Sequence, residues 1–203
     1  MWYRSSKKLI HDSETGYNLI AAQYSQRHHK LDLRDRRIRR PWIPRELQGL
    51  RIIDLWGGDG RLYKFFREAK VDYTVVDIAA QMMKKLPGVV HRVVADLEEE
   101  RTRTQDIYDI GLCFFTLLHV SDLEHFFAES YRIIGEKGRL IVQYHREWKP
   151  MEHHVGITYF QIETYQHSYD EIHDAASWQW WKVKVLDIIE NNVLVSKIYL
   201  FTK

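Results

Sequence analysis

The sequence predicts an α/β domain in which helices pack on both faces of a mostly parallel sheet that ends in an antiparallel hairpin. From Leu50 onward, short β-rich runs alternate with helical or polar sequence, which is typical of parallel strands joined by crossover helices. Two final β-rich runs meet at Glu190-Asn191-Asn192, which predicts the hairpin. The predicted strands are Leu50–Leu55, Tyr73–Val76, Val89–Ala95, Ile107–Phe114, Gly138–Tyr144, Trp180–Ile189 and Val193–Phe201.

The composition is that of one globular domain. At 203 residues the chain is long enough for a buried core and short for two domains. Hydrophobic residues make up 45% of it, which excludes the disordered class. The net charge of +2 is too small to indicate a polyanionic partner from bulk charge alone. A single cysteine, Cys113, excludes an internal disulfide and a multi-cysteine metal site and favours a reducing compartment.

The sequence carries no signal that would send the chain to a membrane. No stretch approaches the roughly 18 to 20 apolar residues of a membrane span, and the start of the chain lacks the apolar core of a signal peptide. We therefore expect a cytoplasmic protein with no membrane span.

We expect residues 1–203 to form a single domain with four parts. These are an N-terminal helical cap (1–45), a cofactor-binding core (46–145), a lid or substrate loop rich in histidine and aromatic residues (146–168), and a C-terminal helix and hairpin (169–203). In the cap, Tyr17, Ile20, Ala21 and Tyr24 recur at helical spacing after a possible N-cap at Thr15.

Other local patterns mark helix starts and a basic stretch. Ser121–Glu124 and Ser168–Glu171 have the capping-box spacing, in which a hydroxyl and a carboxylate satisfy free backbone donors reciprocally. The positive charges of Arg34–Arg40 are typical of a solvated face, and they are also suited to an anionic substrate or RNA.

The segment Leu50–Leu62 reads as a strand, a glycine-rich turn and a helix start. Glycines in such a turn let the backbone approach a ligand closely. Asp59 is placed to cap a helix that opens at Gly60 and Arg61.

Two further acidic residues end the next predicted strands. Asp77 follows Tyr73–Val76, and Asp96 follows the run Val93-Val94-Ala95. Because open α/β sheets bind ligands at the carboxyl ends of parallel strands, an acid at position 77 is suited to the hydroxyls of a ribose. Each acid taken singly is equally well explained as a helix cap. Three acids in register, with Asp54, favour a nucleoside ligand.

In these motifs the chain resembles the class I S-adenosylmethionine-dependent methyltransferases, which have a Rossmann-like fold. It is most similar to the small methyltransferase-domain proteins related to the ubiquinone and menaquinone C-methyltransferases. The resemblance covers nearly the whole chain from about Leu50 onward. The segments that carry it are Ile53–Gly60, Val75–Ile78, Ala95–Leu97, Tyr108–Val120, Tyr131–Ile134 and Lys137–Val142.

The resemblance implies a seven-stranded sheet, S-adenosyl-L-methionine as the cofactor, and a role for each matching residue. One departure is that the family usually has glycine where this chain has Trp56. An indole there either blocks the methionyl pocket or points away from it. The implied cofactor-binding residues are Asp54, Trp56, Gly57, Gly58 and Gly60 for the methionyl part, Asp77 and Ile78 for the ribose, Asp96 and Leu97 for the adenine, and Cys113 and Phe114 for the sulfonium end.

Two nucleic-acid methylation chemistries are disfavoured. Enzymes that methylate exocyclic amines carry an Asp/Asn-Pro-Pro-aromatic motif after the fourth strand, whereas this chain has Cys113-Phe114-Phe115-Thr116. It also lacks the Pro-Cys nucleophile that attacks pyrimidine rings.

His119 is the candidate catalytic residue, as a base near the expected methyl group, because an unperturbed histidine titrates near neutrality. A structural, hydrogen-bonded histidine is the alternative, and His145 is a similar but weaker candidate. His153 and His154 are adjacent and lack a third ligand, so we expect no metal site.

The sequence thus predicts an enzyme, a methyltransferase acting on a small-molecule substrate held between the N-terminal helix, His119 and the lid. Methyl transfer mainly requires that the acceptor be positioned for in-line attack, so no universal catalytic motif is expected. The alternatives are a non-catalytic binding module whose cofactor site is degenerate at Trp56, and an RNA or protein methyltransferase that docks through Arg34–Arg40. A nucleotide-dependent oxidoreductase is disfavoured by the terminal hairpin.

Overall fold

The computed structural model describes residues 9–28, 42–99, 105–145, 152–190 and 193–203. The strands are β1 (Leu9–His11), β2 (Arg51–Leu55), β3 (Asp72–Asp77), β4 (His91–Val94), β5 (Tyr108–Phe114), β6 (Ile134–Tyr144), β7 (Glu152–Val155), β8 (Thr158–Ile162), β9 (Lys182–Glu190) and β10 (Val193–Thr202). The α-helices are α1 (Ser13–His28), α2 (Leu123–Ile133) and α3 (Tyr169–Trp178). Short 3₁₀ helices span Tyr63–Phe65, Met82–Lys85 and Leu117–His119.

A seven-stranded sheet has the order β4-β3-β2-β5-β6-β10-β9. The first five of these strands are parallel, and β10 pairs antiparallel with both β6 and β9. The predicted fold class, with its terminal hairpin, is confirmed. Because β3 lies on one side of β2 and β5 on the other, the chain reverses its direction of travel across the sheet at β2 and β5. Ligands of open α/β sheets bind in the crevice outside the carboxyl ends of such strands.

Helical elements cover both faces of this sheet. On one face α2 and α3 pack their apolar sides, including Phe127 and Ile172, against Phe201 and its neighbours. On the other face the apolar side chains come from the turns and 3₁₀ helices that follow β2 and β3, among them Phe66 and Met83. The sequence patterns alternate between apolar strands and amphipathic connections because both faces of the parallel strands are buried.

Two predicted helix caps differ from the structure by one to three positions. The N-cap of α2 is Asp122, whose carboxylate accepts from the N–H of His125, while the hydroxyl of Ser121 donates to Glu98. Likewise, α1 is capped by Asp12, which accepts from the N–H of Thr15 at 2.7 Å. In both cases the free backbone N–H of the first turn is accepted by the aspartate carboxylate before the helix and not by the nearby hydroxyl.

The two other predicted caps have opposite outcomes. The capping box of α3, formed by Ser168 and Glu171, is confirmed. The predicted helix at Gly60 and Arg61 is wrong, because turns and the 3₁₀ helix Tyr63–Phe65 occupy this stretch. Asp59 is therefore not a helix cap, and its carboxylate instead accepts a hydrogen bond from the hydroxyl of Ser25 on α1.

The predicted lid has more regular structure than a loop. Its described part forms the hairpin of β7 and β8, and β8 pairs in parallel with β1 to give a second sheet of order β1-β8-β7. Phe160 and Ile162 of β8 pack on Ile20 of α1. The lid segment and the N-terminal segment are thus one structural unit.

Two sequence predictions lie outside the described residues: the basic stretch Arg34–Arg40 and the turn residues Asn191 and Asn192. Within the described ranges, no helix is long and apolar enough to cross a membrane.

Replacing Phe127 by alanine tests the core contact between α2 and the sheet. Phe127 is fully buried, with its ring 5.0 Å from that of Phe201 and 5.2 Å from that of Phe126. The substitution should lower the free energy of unfolding by about 3–5 kcal/mol, measured by urea denaturation. As a control, Ile157→Ala removes a side chain that is 95% exposed and should change it by less than about 0.5 kcal/mol. Similar losses for the two variants would contradict this packing.

Candidate active site

The loop between β2 and the first 3₁₀ helix is held down by buried carboxylates. Asp54, on β2, is 1% exposed and accepts a hydrogen bond from the hydroxyl of Tyr73 at 2.9 Å. Burial raises the pKa of Asp54 from 3.8 to about 7, against the opposing effects of the Tyr73 hydrogen bond and the Arg61 charge. A Cβ at Gly57 would lie 2.6 Å from Cγ of Asp54, so the backbone closes over this carboxylate only with glycine.

Asp77 ties the same loop to the end of β3. One of its oxygens accepts from the N–H of Gly58 and the other from the N–H of Ala79, both at 2.8 Å. Burial raises the pKa of Asp77 to about 6, and the two backbone hydrogen bonds oppose that rise. Gly58 has a φ of +58°, and a Cβ there would lie 3.1 Å from Cε of Met82. Both facts favour glycine at this position.

Trp56 follows β2 with a φ of +50°, the left-handed conformation that suits glycine. Its Nε1 is buried and has no hydrogen-bond partner among the described residues. In the same loop and on the same footing, Oδ1 of Asp59 is buried without a partner in the described part of the chain, while Oδ2 accepts from Ser25. The loop therefore holds one free buried donor and one free buried acceptor.

A cavity lies between this loop, the end of β5 and α1. The space between its walls measures about 420 Å³, which includes solvent-filled volume at its open mouth. Most of its walls are aromatic. The lining residues are Ser13, Tyr17, Tyr24, Trp56, Gly58, Met82, Phe114, Phe115, Thr116 and His119.

Helix α1 lies across the edge of the sheet at which the parallel strands have their carboxyl ends, called the carboxyl edge below. Several polar contacts hold it there. Asn18 accepts from the N–H of Gln81 at 2.9 Å, Lys85 donates to the carbonyl of Ala22 at 2.9 Å, and Ser25 donates to Asp59. These contacts fix α1 over the loops that follow β2 and β3.

Phe115 forms the wall of the cavity beyond β5. Like Trp56, it directly follows a parallel strand and has a positive φ, here 62°. Its ring stacks on that of His145 at 5.0 Å, and the guanidinium of Arg61 lies 5.4 Å from its centroid.

His119 joins α1 to the segment after β8. Its Nδ1 lies 2.8 Å from the carbonyl oxygen of Glu163, and its Nε2 lies 2.7 Å from the hydroxyl of Tyr17. Because a carbonyl can only accept, Nδ1 carries the proton, and Nε2 accepts from Tyr17. Burial lowers the pKa of His119 to about 4, with the Glu163 hydrogen bond opposing and nearby His153 adding to that effect. Burial raises the pKa of Tyr17, so both groups are neutral at pH 7.

The other predicted site residues lie at different depths. Phe114 lines the cavity, whereas the preceding Cys113 is fully buried in the core, and burial raises the pKa of its thiol. Asp96 accepts from the N–H of Glu98 at 2.9 Å, and Leu97 is buried in the core. Ile78 is half-buried beside Asp77, and Gly60 closes the loop by donating to the carbonyl of Gly57.

The sequence interpretation did not identify several cavity residues as site residues. Tyr17 and Tyr24 carried a signal, since their helical spacing placed them on one face of α1, but spacing alone does not say what that face covers. Met82, Phe115 and Thr116 carried no such signal.

Asp54→Asn tests the buried carboxyl group. Because its pKa is raised to about 7, the folded protein keeps a proton that the unfolded chain releases near pH 4, so this group destabilises the fold as pH rises from about 4 to 7. Asparagine stays neutral. The variant should gain stability relative to the wild type between pH 5 and pH 8, by about 1.4 kcal/mol for each pH unit of the interval below pH 7. Urea unfolding at both pH values measures this gain, and a difference independent of pH would contradict it.

Comparison with known proteins agrees with this geometry. A family model described as a methyltransferase domain matches residues 25–188. A search of the curated proteins found no match.

Three similar solved structures share the fold. The DhpI–SAH complex has a TM-score of 0.71 and 16% identity, covering 92% of this chain and 93% of that chain. A TehB-like SAM-dependent methyltransferase from Corynebacterium glutamicum has a TM-score of 0.68 and 14% identity, covering 90% and 97%. The magnesium protoporphyrin IX methyltransferase of Synechocystis, with bound SAM, has a TM-score of 0.57 and 14% identity, covering 93% and 81%. The chain belongs to the methyltransferase domain family, and it shares its fold with solved SAM-dependent methyltransferases.

Proposed function

We propose that this methyltransferase acts on a small-molecule acceptor that binds in the cavity beneath α1. The observation that carries the proposal is enclosure, because α1 lies across the carboxyl edge and Tyr17 of that helix is hydrogen-bonded to His119 on the opposite wall. A small molecule fits such a space, whereas a macromolecule would have to reach past the helix. The Synechocystis relative, which is named for magnesium protoporphyrin IX, supports the same class of acceptor.

The residues present fit S-adenosylmethionine along the carboxyl edge. Asp77 would take the ribose hydroxyls, because a carboxylate that accepts two N–H groups keeps further lone pairs. Asp96 and Leu97 would frame the adenine, and Phe114 would lie near the sulfonium. When bound, the cofactor supplies a methyl group already activated by positive sulfur.

The methionyl end of the cofactor fits two buried polar atoms of the glycine loop, the turn at residues 56–60 that follows β2. An α-amino acid group carries a carboxylate and an ammonium. Nε1 of Trp56 is a buried donor and Oδ1 of Asp59 a buried acceptor, and neither has a partner within the residues that the structure describes. A charged ligand group would satisfy each, which offsets the cost of burying it unpaired. In this proposal Trp56 lines the methionyl site and does not block it.

In the transfer step, the protein positions the acceptor and excludes water. The aromatic walls hold an acceptor beside the methyl group and keep water out, so the reactants meet at near-attack distance. No residue has to activate the methyl group.

Trp56→Phe tests the role of the indole N–H. The variant keeps an aromatic ring and loses the donor, so affinity for S-adenosylhomocysteine should fall about 10-fold or more, since a hydrogen bond to a charged group contributes about 1.5–3 kcal/mol. Affinity for 5′-methylthioadenosine, which lacks the amino acid group, should not change. Calorimetry measures both.

A matched control is Trp42→Phe, because Nε1 of Trp42 is also buried with no partner in the described ranges, but Trp42 does not line the cavity. It should alter neither affinity. An equal loss for both ligands in Trp56→Phe would indicate that the ring only supports the fold, and no loss would remove the proposed hydrogen bond.

The acceptor class is tested by the destination of the methyl group. Incubating the full chain with methyl-labelled S-adenosylmethionine and a cell extract should place the label in the fraction that passes a dialysis membrane. Label retained on RNA or protein would contradict the proposal, and RNA docking would also weaken steeply with salt. An extract without added protein is the control.

A further inference from the structure

We propose that Tyr17 and His119 form a proton relay that takes the proton of an aromatic hydroxyl acceptor during methyl transfer. Tyr17 is the catalytic residue that contacts the acceptor oxygen, and His119 acts through it. This inference rests on the proposed function and names its acceptor class.

The relay has fixed geometry from end to end. The Tyr17 hydroxyl donates to Nε2 of His119 at 2.7 Å, and Nδ1–H of His119 donates to the carbonyl of Glu163 at 2.8 Å. The two rings meet edge to face, with centroids 5.2 Å apart and planes at 87°. The Glu163 carbonyl sets the tautomer, so the basic nitrogen of His119 faces the tyrosine.

Tyr17 and His119 both line the cavity, so the hydrogen bond between them is accessible to an acceptor. A tyrosine hydroxyl that donates one hydrogen bond keeps two lone pairs, and it therefore accepts the hydrogen of an acceptor O–H while it donates to histidine. A bond that served only to hold α1 in place would not need to lie at the cavity wall.

The surroundings keep the relay neutral before reaction. Groups that face His119 are Tyr17, the Glu163 carbonyl and His153, and groups that face Tyr17 include Tyr24 and Asp77. Burial lowers the pKa of His119 to about 4, so its Nε2 carries no proton at neutral pH before the reaction.

The step conserves protons and charge. The acceptor oxygen forms a bond to the methyl carbon while the bond from that carbon to sulfur breaks, and the electron pair of that bond stays on sulfur. The acceptor proton passes to Oη of Tyr17 as the original hydroxyl proton of Tyr17 passes to Nε2 of His119. The site therefore loses the positive charge on sulfur and gains one on the imidazolium, which returns its proton to water after the product leaves.

The lining points to a neutral, aromatic hydroxyl compound. Among the described residues that line the cavity there is no Lys, Arg, Asp or Glu, so nothing there pairs with a charged acceptor. A hydroxyl must lose its proton to become a methyl ether, whereas a free amine attacks through its lone pair without a base. The rings of Tyr24, Trp56 and Phe115 suit a planar ring through stacked and edge contacts.

The experiment compares two acceptors of different acidity, 2-naphthol and 4-nitrophenol, at about pH 8. The weakly acidic 2-naphthol needs a base, whereas 4-nitrophenol is already ionised. For Tyr17→Phe, the rate on 2-naphthol should fall about 10²-fold or more, while the rate on 4-nitrophenol should fall by less than about 10-fold. His119→Gln should show the same large loss on 2-naphthol and small loss on 4-nitrophenol. The relay can therefore still be tested if one of the two variants folds poorly.

The control is Tyr159→Phe, which removes a hydroxyl from a tyrosine that is 60% exposed on β8 and should leave both rates unchanged. Binding of S-adenosylhomocysteine, measured by calorimetry, should persist in all variants.

The results that would contradict the relay, the acceptor class and the proposed function differ from one another. Equal losses on both acceptors would overturn the relay and leave Tyr17 with a structural role, as would no loss on either. A wild type that binds S-adenosylhomocysteine but methylates neither compound would overturn the acceptor class. A wild type that does not bind it would instead contradict the proposed function.

Discussion

The strand order at the centre of the large sheet is the constraint on which the site depends. Because β2 has β3 on one side and β5 on the other, the connections after β2 and β5 leave in opposite directions and open a crevice at the carboxyl edge. The loop of residues 56–60, Asp77 and Phe115 all lie at this edge because each ends or directly follows a central parallel strand. The N-terminal segment then closes the crevice, since α1 lies across it and β1 pairs with β8.

The two buried acids at this edge are costly to ionise in the protein alone. Asp54 and Asp77 are both buried, and the pKa of each is raised, which means that the ionised forms lack sufficient compensation within the protein alone. The repulsion from Asp59 adds to both shifts. A ligand that brings positive charge would lower these pKa values and stabilise the carboxylates, and the ammonium and sulfonium groups of S-adenosylmethionine both carry such charge. The acids are thus individually costly and jointly suited to this cofactor.

The sequence predicted what depends on local pattern. Strands β2, β3 and β5 are buried on both faces, so they appear as short apolar runs, and Asp77 could be placed because it ends one of them. The capping residue Asp122 was missed because a serine one position earlier offered the same spacing, and the choice depended on Glu98, a partner distant in sequence.

Long-range contacts explain the larger misses. The three-residue strand β1 exists because it pairs with β8, about 150 residues later, and no pattern within three residues encodes such a partner. The sequence placed the acceptor between the N-terminal helix and His119, but the helical spacing of Tyr17 could not predict the hydrogen bond between Tyr17 and His119. Site geometry that joins distant segments is decided by packing.

Trp56 shows how a departure in sequence can keep the geometry of a site. Its φ of +50° is the conformation for which glycine is best suited, so the loop has the backbone geometry of a glycine although a tryptophan occupies the position. Holding a bulky residue there costs about 1–3 kcal/mol, and such strain is concentrated at functional sites. The cost is offset by the packing of the indole against the core.

Phe115 repeats the arrangement at the end of β5, with a φ of 62° and its ring stacked on His145. Two strained aromatic residues at the two strand ends that flank the crevice are difficult to explain by folding alone, because glycine would relieve the strain at either position. Their shared feature is that both side chains wall the same cavity, which makes the shape of that cavity the property that the strained backbone maintains.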